Sequence, residues 1–241
     1  MIDTIDPNII KTRYKKIKEI WDTSDKWHYK TKIEIEKFIN KCIQKNNLSK
    51  KSIVNLGSAG NSYGFNDDFV FHVDLVEDKI KNKKNYIVSN IENIEINSLF
   101  DGILCVGSVI NYCDLFAVLE KCSRLTKKGG FLILEFENSK SLEFIGTNHY
   151  NRPSSFVSTF YQGETENLFV YSENLIKTTL NEYGFTVNNI HRFHILSPLL
   201  LKLKKNPNNA GRLIVFDSIC RLIPALKKHS SNVIIYAQKR L

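Results

Sequence analysis

The chain has 241 residues, 42% of them hydrophobic, and a formal net charge of +9. That length allows one well-buried core, or one core with an appended cap, and no stretch approaches the ~20 apolar residues of a membrane span. The charge is uneven: residues 1–51 carry +6, residues 52–190 carry −6 and residues 191–241 carry +9, so basic ends suited to an anionic partner or a solvated lysine-rich surface flank an acidic middle.

Five cysteines (Cys42, Cys105, Cys113, Cys122 and Cys220) lack CxxC spacing and sit mostly in apolar runs. They read as reduced thiols of a cytoplasmic protein. No His/Cys cluster has zinc-ligand spacing, so no metal site is expected. The first residues have no apolar h-region, and no signal peptide is expected.

In chain order, Ile10, Tyr14, Ile17 and Trp21 recur at helical spacing, as do Ile35, Phe38, Ile39, Cys42 and Ile43. The spacing predicts two helices, the second ending at Asn46-Asn47. Trp27, His28 and Tyr29 fall between them, either to pack over a ligand or to glue the pair to the core. Ser52 to Leu56 has the composition of a buried strand. Gly57, Ser58, Ala59 and Gly60 follow, small residues that let a backbone approach a ligand, with the Cβ of Ala59 tolerable if its φ is negative. FVFHVDL closes on Asp74, where a nucleotide-binding βαβ unit carries the acid that ends its second strand.

VEDKIKNKK then reads as a short helix, NYIVSNI as a third strand and Gly102 to Val106 as a fourth. Asp114 caps a helix with the buried stripe Leu115, Val118, Leu119, Cys122 and Leu125, ended by Gly129-Gly130. FLILEFE is a fifth strand. Strands alternating with helices predict a doubly wound, mostly parallel α/β sheet.

After Glu137 the rhythm breaks. Residues 138–155 read as a long loop, and SSFVSTFY and NLFVYS flank QGETE as a hairpin. Ser172 caps a helix stopped by Gly184, and FTVNNIHRFHIL is a sixth strand. His191 and His194, three apart in that strand, would face opposite ways and share no metal. ILSPLLLKLKK reads as a hinge packed around Pro198, with rest on an anionic membrane surface as the other reading. A helix from Asn209 to Ile223 ends before Pro224, and NVIIYAQK is the last strand.

Four pieces taken together, VNLGSAGNSYG, the acid of HVDL, VSNIENIEI, and FDGILCVGSVINYCD followed by LTKKGGFLILEFE, resemble the class I S-adenosylmethionine-dependent methyltransferases of the small, type 11-like kind. The resemblance covers residues 50–137 closely and the C-terminal strand–helix–strand more loosely. It implies a Rossmann-like, doubly wound, mostly parallel seven-stranded sheet over residues 51–241. An N-terminal helical cap would span 1–50, and an insertion after the fifth strand, 138–171, would cover the acceptor.

The resemblance implies S-adenosyl-L-methionine as cofactor. Gly57, Ser58, Ala59 and Gly60 would line its methionine and ribose, and Asp74 would accept from the ribose hydroxyls. Leu75 would lie against the adenine, Asn90 and Ile91 at its edge, and Val106 and Gly107 under the methionine. Asn55 stands where relatives carry an acid, which weakens a contact to the cofactor's ammonium. The implied reaction is O-methylation of a small molecule or a sugar or glycan, anionic or lipid-linked. The basic ends leave room for peripheral membrane contact. A base is expected near the carboxyl ends of the strands, with Glu137, His149 and Tyr161 as candidates and Glu135 on the face of Glu137.

Two other readings stand beside it. One is a nucleic-acid methyltransferase or binder using the basic ends, against which Ser108 to Tyr112 lacks an Asn-Pro-Pro-Tyr-type motif. The other is a cofactor-binding protein without catalysis. The sequence leaves the oligomeric state open.

Overall fold

Helices α1 (Pro7–Lys16) and α2 (Lys26–Asn46) precede β1 (Ile53–Leu56), β2 (Val70–Asp74), α3 (Glu77–Ile80), β3 (Tyr86–Val88), β4 (Phe100–Cys105), α4 (Leu115–Leu125) and β5 (Thr126–Glu137). A hairpin of β6 (Ser154–Tyr161) and β7 (Glu164–Tyr171) follows, then α5 (Glu173–Glu182), β8 (Phe185–Phe193), α6 (Ser197–Lys204), α7 (Pro207–Cys220), α8 (Pro224–Lys227) and β9 (Asn232–Lys239). The structure, a computed structural model, describes residues 5–161, 164–204 and 207–241; the side chains at 160, 161, 201, 204, 207–209, 212, 213, 215 and 218 lie outside that description.

Seven strands form one sheet in the order β3-β2-β1-β4-β5-β9-β8, with β9 antiparallel to both neighbours and the other pairs parallel. The expected Rossmann-like sheet is therefore present. Every residue of β1 is buried, as a strand covered on both faces requires. One face packs Val54, Leu132 and Ile235 against α4 and α5, and the other packs Ile53, Leu104, Ile133 and Ile234 against α2. Register aligns Leu56 with Val73 and with Cys105, so β1, β2 and β4 end level. Gly57, Asp74 and Val106 thus leave the sheet along one edge.

The N-terminal segment differs from expectation. α1 stops at Lys16, and Ile17 is extended (φ −72, ψ 114). Ile17 and Trp21 are buried, but on a non-helical strap between the two helices. Asp25 caps α2 by accepting from the His28 N–H, which puts Trp27, His28 and Tyr29 in its first turn. Ile35, Phe38, Ile39 and Cys42 of α2 share a core with Ile53 and Tyr236 of the sheet. The end of α2 follows the sequence: Asn47 is left-handed (φ 54), and its N–H donates to Ile43 O.

Two C-terminal expectations also change. The hinge expected around Pro198 is helix α6, because Pro198 occupies the first turn, where no backbone donor is needed. β8 ends at Phe193, and His194 leaves it with φ 54. His191 pairs with Glu34 at 2.8 Å, and His194 Nε2 meets Thr31 Oγ1 at 2.9 Å, so both serve packing.

Candidate functional site

A cavity of about 150 Å³ opens at the carboxyl ends of β1, β2, β4 and β5. Ligands of open α/β sheets bind at this edge. One half is built from the tips of β1, β2 and β4; the other is roofed by α1 and the start of α2.

In the first half, Gly57, Ser58 and Ala59 line the cavity together with Asp74, Leu75, Asn90, Ile91, Val106 and Gly107. Gly57 is left-handed (φ 65), and a Cβ there would lie 2.6 Å from both methyl carbons of Val109. Ala59 is left-handed too (φ 43), contrary to the negative φ its side chain favours. The reason is a clasp: Asp74 Oδ2 accepts from the Ala59 N–H at 2.8 Å, and Oδ1 accepts from the Val76 N–H at 2.9 Å. Burial raises the Asp74 pKa, opposed by these backbone donors and by Lys79. Each carboxylate oxygen keeps a second lone pair for a ligand hydroxyl.

Asn90 Oδ1 accepts from the Glu92 N–H (3.0 Å), which holds the Asn90–Glu92 turn against the cavity wall. The Lys79 ammonium donates to the carbonyls of Ile17 and Lys18, tying the strap over this half. Beneath it, Glu135 accepts from the Gly107 and Ser108 N–H groups and from Asn232 Nδ2. Glu135 is thus a buried brace rather than a companion of Glu137 facing the cavity.

Glu137, Glu166, Tyr14, Tyr112, Trp27 and His28 line the second half. Asn111 accepts from the Glu137 N–H (3.1 Å) and donates to Phe169 O (2.6 Å), which stitches β5 to β7 and brings Glu166 to this half. Arg13 pairs with Glu166 at 2.9 Å, and the Tyr14 and Tyr112 hydroxyls meet at 3.4 Å. Trp27 stacks on His194 with ring centroids 4.1 Å apart. The aromatic cluster therefore does both things open to it, gluing a helix to the core and facing the cavity. Burial pushes the Glu137 carboxyl well above its ordinary pKa, with Glu143, Glu135 and Glu166 adding to the push. Burial also raises Glu166, opposed by Arg13 and Tyr112.

Of the eleven residues expected around a cofactor, nine line the cavity and two do not. Asn55 is buried behind the loop, its Nδ2 donating to Asn61 O, and its Oδ1 finds no partner among the described residues. Gly60 faces away, against the Lys79 carbonyl. Among the expected bases, Glu137 lines the cavity. His149 does not: its loop leads off the sheet edge, and its Nδ1 meets Ser155 Oγ at 2.7 Å. The Tyr161 side chain lies outside the described residues. Among the described residues, segment 138–171 supplies one lining residue, Glu166, while α1, the strap and α2 supply most of the cover. Glu166 had a sequence signal: it is in phase with Leu168 and Val170, both buried, and an acid in phase with a buried row faces inward.

The residues fit a nucleoside-bearing cofactor. The glycine turn brings backbone to the cavity wall, a carboxylate stands at the second strand's tip, and Leu75 and Ile91 offer apolar sides. No family profile and no curated protein matches the sequence. Solved structures do match in fold. Magnesium protoporphyrin IX methyltransferase from Synechocystis, with bound SAH, aligns with TM-score 0.62 at 12% identity, covering 97% of this chain and 100% of that one. An S-adenosylmethionine-dependent methyltransferase from Clostridium acetobutylicum aligns with TM-score 0.56 at 17% identity, covering 98% and 99%. The Burkholderia thailandensis 1,6-didemethyltoxoflavin-N1-methyltransferase, with 1,6-didemethyltoxoflavin and S-adenosylhomocysteine bound, aligns with TM-score 0.54 at 11% identity, covering 100% of this chain and 93% of that one. The chain has the fold of the class I S-adenosylmethionine-dependent methyltransferases.

Proposed function

We propose that the chain is an S-adenosylmethionine-dependent methyltransferase acting on a hydroxyl of a small molecule or sugar. One observation carries the reading: Asp74 and Glu137 line opposite halves of the same cavity. Asp74 would hold the ribose hydroxyls, Leu75 and Ile91 the adenine, and Val106 and Gly107 the methionine. When bound, the cofactor supplies a methyl group on a positively charged sulfur, which leaves alignment and proton removal to the protein. Glu137 takes the hydroxyl proton at a carboxylate oxygen. Its raised pKa makes it a stronger proton acceptor than an ordinary carboxylate. Tyr14, Tyr112 and Trp27 supply rings and hydroxyls of the mixture that surrounds a sugar or small polar acceptor.

Four of the five cysteines are buried and all five thiols are free, which supports a reducing, cytoplasmic setting. Calorimetry against S-adenosylmethionine, S-adenosylhomocysteine and NAD tests the cofactor, with binding expected for the first two. Labelled methyl transfer into a fractionated cell extract tests the reaction, with label expected in a polar small molecule or glycan. NAD binding with no response to the sulfonium would sink the assignment.

A further inference from the structure

We propose that the outward side of the α6–α7 hairpin and the turn after it dock on an anionic lipid surface. Fourteen large hydrophobic side chains are exposed among the described residues, and six of them, Leu199, Leu203, Phe216, Ile219, Leu222 and Ile223, fall in this one segment. Leu203 is 70% exposed, Ile219 62% and Leu222 82%. Their spacing is that of a face. Leu199 and Leu203 are four apart on α6, Phe216 and Ile219 three apart on α7, and Leu222 and Ile223 follow in the turn after it. On α7, Ala210, Asp217 and Cys220 occupy the opposite, buried side.

Charge selects the partner. Residues 191–241 contain ten Lys and Arg and a single acid, Asp217. That acid is turned inward, 2% exposed, accepting from the Leu196 N–H and the Ser197 hydroxyl at 2.7 Å each. The segment therefore presents lysines without a competing carboxylate of its own: Lys227 and Lys228 after the hairpin, and on α6 Lys202, whose ammonium also donates to the Ile145 carbonyl. Aliphatic side chains among lysines match the boundary between anionic headgroups and acyl chains. A nucleic acid would meet the lysines but give the leucines and isoleucines nothing to bury against.

The hairpin also sits behind the cavity roof. A Cβ on Gly211 would lie 2.7 Å from Lys26 Cβ and 3.4 Å from Trp27 N, and His194, just before α6, stacks on Trp27. A lipid surface on the far side of the hairpin holds the cavity close to the headgroup layer, where an amphipathic or lipid-linked acceptor would be met.

The test is sedimentation of the full chain with phosphatidylcholine vesicles, with and without phosphatidylglycerol. Pelleting is expected only with the anionic lipid, weakening as salt rises. Combining Leu203→Glu and Ile219→Glu should weaken binding by about tenfold or more. Lys227→Glu should weaken it by about fivefold. Unchanged melting temperatures would establish that the variants fold. A wild-type chain that stays in the supernatant with anionic vesicles, or a double variant that pellets as well as wild type, overturns the proposal. So does a dimer in velocity sedimentation that the double variant dissolves while neither protein binds vesicles, for then the face joins two copies of the chain.

Discussion

Glu135 accepts a 2.6 Å hydrogen bond from the Ser108 N–H, and the preceding Gly107 N–H reaches the same carboxylate oxygen at 2.9 Å. Gly107 (φ 84) and Ser108 (φ 58) both have positive φ, and their successive N–H groups meet at this one oxygen. Asn232 Nδ2 satisfies the other oxygen at 2.8 Å. The cavity floor is thus positioned from β5 and β9 by a carboxylate with no exposed surface.

Removing that acceptor leaves three donors unpaired, the Gly107 and Ser108 N–H groups and the Asn232 amide. Glu135→Leu should destabilise the fold by about 3 kcal/mol. Glu135→Gln should cost about 1 kcal/mol, since its amide oxygen can keep both donors while Asn232 turns its own oxygen to the new NH2. Urea denaturation of both variants checks this. Equal losses would show that the negative charge, rather than the acceptor oxygen, holds the turn.

Ala59 carries a Cβ at φ 43, where glycine is at ease and alanine is strained. Ala59→Gly should raise stability by about 0.5–1 kcal/mol, the relieved strain exceeding the entropy that glycine adds to the unfolded chain. The urea midpoint should rise. A fall would mean that the Asp74 clasp holds Ala59 at no cost.

The legible parts of this fold are those where one residue pattern has one physical cause. Ile103, Leu132, Ile133 and Leu134 lie in continuous apolar runs because their strands are covered on both faces. Asp74 was visible because an acid ending such a run needs a reason to be there. Ile17 and Trp21 misled because helical spacing records burial, and a strap can bury the same positions. Pro198 misled because its sign depends on where the helix starts, which the sequence does not mark. The acceptor half was the least legible. Tyr14 meets Tyr112 across 98 positions, and Arg13 meets Glu166 across the hairpin fold, so no local pattern joins them. His149 shows the converse: closeness to Glu137 in sequence did not bring it to the cavity.

Asp74 has two tasks, since its oxygens already hold the Ala59 and Val76 N–H groups. Asp74→Ala should weaken S-adenosylmethionine binding by about 1.5–3 kcal/mol, the range for a hydrogen bond to a charged group. It should also lower stability by about 1–2 kcal/mol through the two released donors. Calorimetry and thermal melts on the same protein separate the effects. Unchanged affinity with a lower melting temperature would leave Asp74 a purely structural clasp.

Glu137 gives the prediction in which chemistry and stability must move together. Its carboxyl is held well above the ordinary value of 4.5, first by burial and then by Glu143, Glu135 and Glu166. An acid whose folded pKa is raised contributes stability that is fully present below its unfolded pKa and lost as pH rises through the folded value. Part of the wild-type stability should therefore fall as pH climbs from about 4.5 toward that raised pKa. Glu137→Gln should remove this part of the slope, so the variant gains on wild type as pH rises. As the proton acceptor, Glu137 must be ionised to work, so turnover should climb with pH over the same range. Glu137→Gln should lower turnover by ~10²–10⁴-fold and flatten its pH profile, with cofactor affinity nearly unchanged. Melts across pH need no acceptor and come first; turnover profiles follow once label transfer has named one. A variant with the wild-type melting slope would show that another carboxyl titrates there. Full turnover with a flat profile would leave the reaction governed by alignment alone.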